Sequence, residues 1–383
     1  MGEELLLTPG PTMVPSKVLS ALGQPQRNHV DPEFVKMYSE ALELTKYLFQ
    51  TKEGFPFILT GSATLMMESI VVSLLEPGDR VLVIDTGHFG ERFGTIAGIH
   101  QAKVDVVKPE LGRVPSLEEI DEKMSHSRYK ALFVTHVDTS VGVINSVKDI
   151  AAIAKSHGVL SVVDSVTGVG GVEFYFDDWG VDVALTGSQK AIAAPPGLSL
   201  SVVSKKVLEV MVNRKVPIQS YYMDLLRWKK IMENPILYLA TPAVNLIVAL
   251  REALIELKEE GLEKRWLRHK MVANAIRAGV EALGFRIVAE EGHRANTVTA
   301  FYVPNNRAGD LHARLKEQFN IQLAKGLYEH RDSMLRIGHV GVISANDAIS
   351  FTAALEVAGN SLGLTDKKGA VDEALKYLEK LKQ

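Results

Sequence analysis

The residues best suited to chemistry stand in two short runs: Asp164-Ser165-Val166, and Ser188-Gln189-Lys190 followed by Ala194-Pro195-Pro196-Gly197. A lysine is ordinarily a solvated cation. The stretch from Ala191 to Pro196 carries no charge, however, and an amine in such surroundings loses its proton readily and becomes a nucleophile toward a carbonyl. Pro195, Pro196 and Gly197 would pin the loop and fix the lysine's reach. Asp164 closes the apolar run that begins at Leu160, which puts its carboxylate at the C-terminal edge of a buried strand, where open α/β sheets bind ligands. There it could hold a cationic heterocycle, or it could cap the turn that follows.

Thr60-Gly61-Ser62-Ala63-Thr64 lies between a strand pattern and a helix pattern beginning near Leu65. Small residues at a helix N-terminus present free N–H groups and a partial positive charge, a setting for phosphate; the plainer reading is an ordinary Ser/Thr cap. The run matches neither the Walker pattern nor the spaced glycines of a dinucleotide fold. Gly168-Val169-Gly170-Gly171 precedes no helical pattern and reads as a turn. Arg336, inside the apolar run Leu335-Arg336-Ile337, is costly to bury alone. A substrate carboxylate or a structural salt bridge would satisfy it. The 11 histidines are scattered without a His-Glu-x-x-His helix, so no metal site is expected.

Positioning these groups falls to apolar runs of strand length at 57–60, 80–85, 104–107, 131–136, 160–164, 181–186 and 198–203. Several are rich in Val, Leu and Ile without alternation, as in strands covered on both faces. Helical patterns lie between them, such as 65–75, stopped by Pro77-Gly78, and 147–157, stopped by Gly158. The expected fold is therefore α/β: a mostly parallel, mixed sheet of about seven strands sandwiched by helices. After residue 243 come long helices at 243–260 and 262–283, short strands at 286–288, 297–302 and 334–337, and helices at 310–318, 346–362 and 368–381. That texture predicts a smaller C-terminal α+β domain. The division expected is an extended arm at 1–15, kept out of helix and central strand by its prolines, a large domain at 16–255 and a small one at 256–383.

With 383 residues, 46% hydrophobic and 23% charged, the composition is that of an ordinary soluble chain. A net charge of -3 with dispersed Lys and Arg gives no footprint for nucleic acid, so the expected partners are small molecules. The absence of cysteine excludes disulfides, thiolate metal sites and Cys nucleophiles. The first residues lack a basic segment and an apolar run of signal-peptide length, and no stretch reaches membrane-span length, so a cytoplasmic location without membrane contact is expected.

Taken together, these motifs resemble the class V, fold type I aminotransferases that use pyridoxal 5'-phosphate, and within them the alanine–glyoxylate and serine–pyruvate aminotransferase family. The resemblance runs from Thr8-Pro9-Gly10-Pro11 to Arg336-Ile337-Gly338. It implies that Lys190 binds the coenzyme's aldehyde covalently and that Asp164 keeps its ring nitrogen protonated, making the ring an electron acceptor. It further implies ring contacts from Val166 and Phe89, although Phe89 alone reads as core packing. Ser62, Ala63, Thr64 and Gln189 would hold the phosphate, and Thr139, or its neighbour Ser140, the phenolic oxygen. Tyr238 and Thr241 would reach the phosphate of a partner subunit, giving a homodimer with shared sites. Arg336 would bind the substrate carboxylate, with Gly10 closing over the pocket. The reaction implied is ping-pong transfer of an amino group from alanine or serine to glyoxylate or pyruvate. Other donors (aspartate, phosphoserine, an aminophosphonate) and a lyase activity stay open, whereas a desulfurase of the usual type would need a cysteine. Outside this family, a nucleotide-dependent oxidoreductase lacks its glycine fingerprint here.

Overall fold

A computed structural model of the chain describes residues 4–379. Seven strands form one sheet in the order Phe55–Thr60, Leu198–Val203, Val183–Gly187, Leu160–Asp164, Ala131–Thr135, Arg80–Ile84 and Lys103–Val107. Leu198–Val203 runs antiparallel to both neighbours, and the other pairings are parallel. Every residue of Ala131–Thr135, Leu160–Asp164 and Val183–Gly187 is buried, which accounts for their largely apolar sequence without polar alternation. Helices at Pro32–Phe49, Ala63–Leu74, His88–Ile99 and Val147–Ser156 pack on the strands, so the expected mixed α/β sandwich is what forms.

A second sheet has three antiparallel strands, with Met334–Gly338 between Val298–Tyr302 and Ala324–Lys325. It packs with helices Leu262–Ala282, Ala308–Phe319, Ala345–Ser361 and Ala370–Leu378 around Val272, Ile276, Phe301, Leu335, Ile337 and Phe351. A separate, larger core runs from Val18 to Leu262. The expected strand at 286–288 is a correction. Only Ile287 bridges Phe301, because after two ladder bonds the chain leaves the sheet, Glu290 N–H donating to Gly112 O at 2.8 Å. The helix expected to reach residue 381 is described to Leu378, and its expected last residues lie outside the described range.

The arm joins the second core before it reaches the first. Leu5–Leu6 pairs in parallel with Ile321–Gln322, Leu7 is buried among the second core's residues, and Gly338 N–H donates to Leu7 O at 2.8 Å. A Cβ at Gly338 would stand 2.6 Å from Pro9 N and collide with the Thr8 carbonyl, so only glycine lets the two backbones meet there.

Candidate active site

Lys190 leaves the end of Val183–Gly187 on a tied loop. Ser188 Oγ donates to Pro195 O at 2.6 Å, and the Thr12 hydroxyl donates to Lys190 O at 3.1 Å. Ala191 to Ala194 are buried, and Ala193 takes φ 60°, an unusual conformation for a residue with a Cβ. Lys190 Nζ donates to Pro9 O at 2.8 Å. Burial first, then the nearby Arg336 and Arg92 charges, lower its amine to a pKa of about 8 against the opposing pull of Asp164. A far larger share is thus neutral and nucleophilic near physiological pH than for a solvated lysine, though the ammonium form still predominates there.

The arm crowds this amine. Gly10 has φ 126°, and a Cβ there would lie 2.6 Å from Lys190 Nζ. Gly10→Ala is therefore expected to push the arm off Lys190, lowering kcat by roughly tenfold or more while the circular dichroism spectrum stays native. Unchanged kcat would show that the arm does not set the lysine's position.

Asp164, 3% exposed, accepts the Val166 N–H at 3.0 Å on Oδ1. Burial is the main reason its carboxyl rises to a pKa of about 6; the backbone bond and the Arg92 and Lys190 charges pull the other way, and Asp138 adds to the rise. A cationic partner would relieve that penalty.

Asp164 and Lys190 line one cavity with Ser62, Ala63, Thr64, Met67, Phe89, Arg92, Val137, Thr139, Val166, Thr167 and Gln189. Ala63–Leu74 starts at this wall, and the Ser62 hydroxyl makes no cap bond, leaving the first N–H groups of a 12-residue helix open to an anion. Thr139 lines this cavity. The Ser140 hydroxyl instead faces a neighbouring cleft, where it donates to Asp138 Oδ1 at 2.5 Å and accepts the His88 N–H at 3.1 Å. Phe89 and Val166, each half-buried, complete the wall.

Sequence reasoning missed Arg92. It lies one helical turn beyond Phe89 on His88–Ile99, and that spacing was the signal that could have found it. Its guanidinium carbon sits 4.8 Å from the Phe89 ring centroid.

Arg336, 8% exposed, donates from Nε to Lys325 O at 2.9 Å and from Nη1 to Thr139 O at 3.0 Å. It has no ion pair among the described residues, so the salt-bridge alternative finds no partner here. Tyr238 and Thr241 are not brought into the cavity. Tyr238 is 57% exposed, its ring edge-on to His29 at 4.5 Å, and Thr241 is exposed too.

A wider cleft, about 960 Å³, is lined by His136, Asn145, Lys148, Trp179 and His293. Its deepest titratable group, His136, is kept neutral by burial at a pKa of about 3, and its lysine and acids, Lys148, Glu118, Asp149 and Glu173, are all exposed, unlike the buried acid of the smaller cavity. Among the described residues no cluster of His, Asp and Glu is placed for a metal ion, and no helix is long and apolar enough to cross a membrane.

Residues 5–345 match the model of the aminotransferase class-V family. The chain belongs to the class V aminotransferases. It is 37% identical over 370 residues to alanine–glyoxylate aminotransferase 1 of Saccharomyces cerevisiae, covering 91% of this chain and 94% of that one. Among solved structures it superposes on ureidoglycine–glyoxylate aminotransferase of Bacillus subtilis with a TM-score of 0.95 and 29% identity, covering 99% of each chain. Pyridoxamine–pyruvate aminotransferase of Mesorhizobium loti gives 0.94 at 27% identity, covering 99% of this chain and 98% of that one. The class V aminotransferase fold is thus the fold type I arrangement, and the family typically uses pyridoxal phosphate.

Proposed function

We propose that this class V aminotransferase binds pyridoxal 5'-phosphate and passes the amino group of alanine or serine to glyoxylate or pyruvate in two half-reactions. The observation that carries this reading is the convergence of the Lys190 amine, the Asp164 carboxylate and the open start of Ala63–Leu74 on one cavity. Its volume, about 130 Å³, makes it much the narrower of the two spaces described. A buried carboxylate raised to a pKa of about 6, with no cation bonded to it among the described residues, fits a group meant to face a pyridinium. When bound, the coenzyme supplies an aldehyde and an electron-accepting ring.

In this reading Lys190 would hold the coenzyme by its aldehyde, and its amine, lowered toward neutrality, would be the base that takes the proton from the donor's Cα. Asp164 would hold the proton on the ring nitrogen, Phe89 and Val166 would flank the ring, and Thr139 would bond the phenolic oxygen. Ser62, Ala63, Thr64 and Gln189 would hold the phosphate. Arg336 docks the substrate carboxylate with the guanidinium edge that its two carbonyl bonds leave free. Gly10, pressed on Lys190, would close over the pocket. Tyr238 and Thr241, exposed on this subunit, serve the partner's site in a homodimer.

The deciding experiment compares kcat/KM for alanine, serine, aspartate, phosphoserine and an aminophosphonate against glyoxylate, pyruvate and 2-oxoglutarate. Alanine or serine with glyoxylate or pyruvate is expected to lead; preference for an acidic donor would overturn the substrate assignment. Arg336→Gln is expected to raise KM for both substrates by about 10- to 100-fold and lower kcat less. An unchanged KM would assign Arg336 to the fold alone.

A further inference from the structure

We propose that Arg92 is the cationic anchor of the coenzyme's phosphate, an inference that rests on the coenzyme reading above. Of the residues lining the cavity only Lys190 and Arg92 are basic, and in that reading the Lys190 amine is engaged at the aldehyde. The phosphate carries close to two negative charges, while the residues that receive it, Ser62 to Thr64 and Gln189, offer hydroxyls, an amide, backbone N–H groups and the half-charge of a helix start but no full positive charge. A cation would offset what remains, and Arg92 stands beside that turn: Nη1 donates to Thr64 Oγ1 at 3.4 Å.

The guanidinium is also free to take the role. It is half-buried and has no carboxylate partner among the described residues. Its Nη2 donates to His88 Nε2 at 3.1 Å, and since arginine can only donate, the His88 proton sits on Nδ1. Burial and the Arg92 charge both lower the His88 pKa, so the imidazole stays a neutral acceptor that aims Arg92 without competing for its charge. The guanidinium lies over the Phe89 ring, its carbon 4.8 Å from the centroid, and its planar fork suits phosphate oxygens.

The test separates the phosphate from the ring. Coenzyme-free wild type, R92Q and R92K are titrated with pyridoxal phosphate and with pyridoxal, which has the ring and aldehyde but no phosphate. R92Q is expected to weaken pyridoxal phosphate by on the order of 10- to 100-fold, leave pyridoxal unchanged, and lose the preference between them; R92K is expected to restore part of it. Equal loss toward both ligands, or no loss, overturns the assignment. So does intact coenzyme affinity with a raised KM for the oxo acid, which would place Arg92 at the substrate. If R92Q does not fold by thermal melting, the ratio measured in R92K decides. Failure of wild type to bind either ligand would refute the coenzyme reading instead.

Discussion

Lys190→Ala abolishes the protein-linked visible absorption of the coenzyme and lowers kcat by about 10⁴-fold or more, while the thermal unfolding transition of the coenzyme-free chain survives. The expectation follows from the two duties proposed for one amine: covalent attachment and proton transfer at the donor's Cα. Because burial holds the amine at a pKa of about 8, the rate at which coenzyme-free wild type captures pyridoxal phosphate should rise with pH and level off above that value, where the lysine is fully neutral. Stopped-flow absorbance measures both. Retained absorption and turnover in the alanine variant would remove Lys190 from its role, and a capture rate flat from pH 6.5 to 9.5 would show that its protonation does not govern attachment.

Asp164→Asn gives the second largest effect, with an opposite sign in stability. The amide keeps an acceptor for the Val166 N–H but cannot stabilise a protonated ring nitrogen, and kcat is expected to fall by roughly 10²- to 10⁴-fold. The coenzyme-free variant should be more stable than wild type at pH 7. The folded carboxyl titrates near 6, above its unfolded value, so the folded state binds the proton more tightly. Its stability contribution is intact below the unfolded pKa and is lost as pH rises through about 6, leaving the cost of an ionised buried group at neutrality. Asn resembles the protonated form. The gain, on the order of 1–3 kcal/mol at pH 7, should vanish near pH 4 in denaturant titrations. A variant less stable than wild type at pH 7 would show that the carboxylate already has a favourable partner.

The central elements were legible because their physics is local. Leu160–Asp164 and Leu198–Val203 form at the boundaries expected from their apolar runs, since strands buried on both faces admit little else. Lys190, Asp164 and Ser62 to Thr64 were legible for a related reason: each stands at the end of such a strand or the start of its helix, so periodicity alone sends them to one edge. Arg92 carried only the faint signal of its spacing from Phe89, because a basic residue on an amphipathic helix is usually solvated, and the packing of His88–Ile99 beside Ala63–Leu74 places it at the cavity. The strand expected at 286–288 failed for the converse reason: its apolar residues are real, but pairing ends where Glu290 is drawn to Gly112. The choice between Thr139 and Ser140 needed coordinates, since adjacent residues differ only in which way the turn faces them.

The arm has a consequence for how the enzyme is made. Pro9 and Gly10 cover Lys190, yet the segment carrying them is fastened by Ile321–Gln322 and Gly338. On a ribosome the arm must therefore wait for residues made much later before it can seat, and the large sheet can assemble with its lysine uncovered in the meantime. A nascent chain would be open to the coenzyme long before it is shaped to choose a substrate.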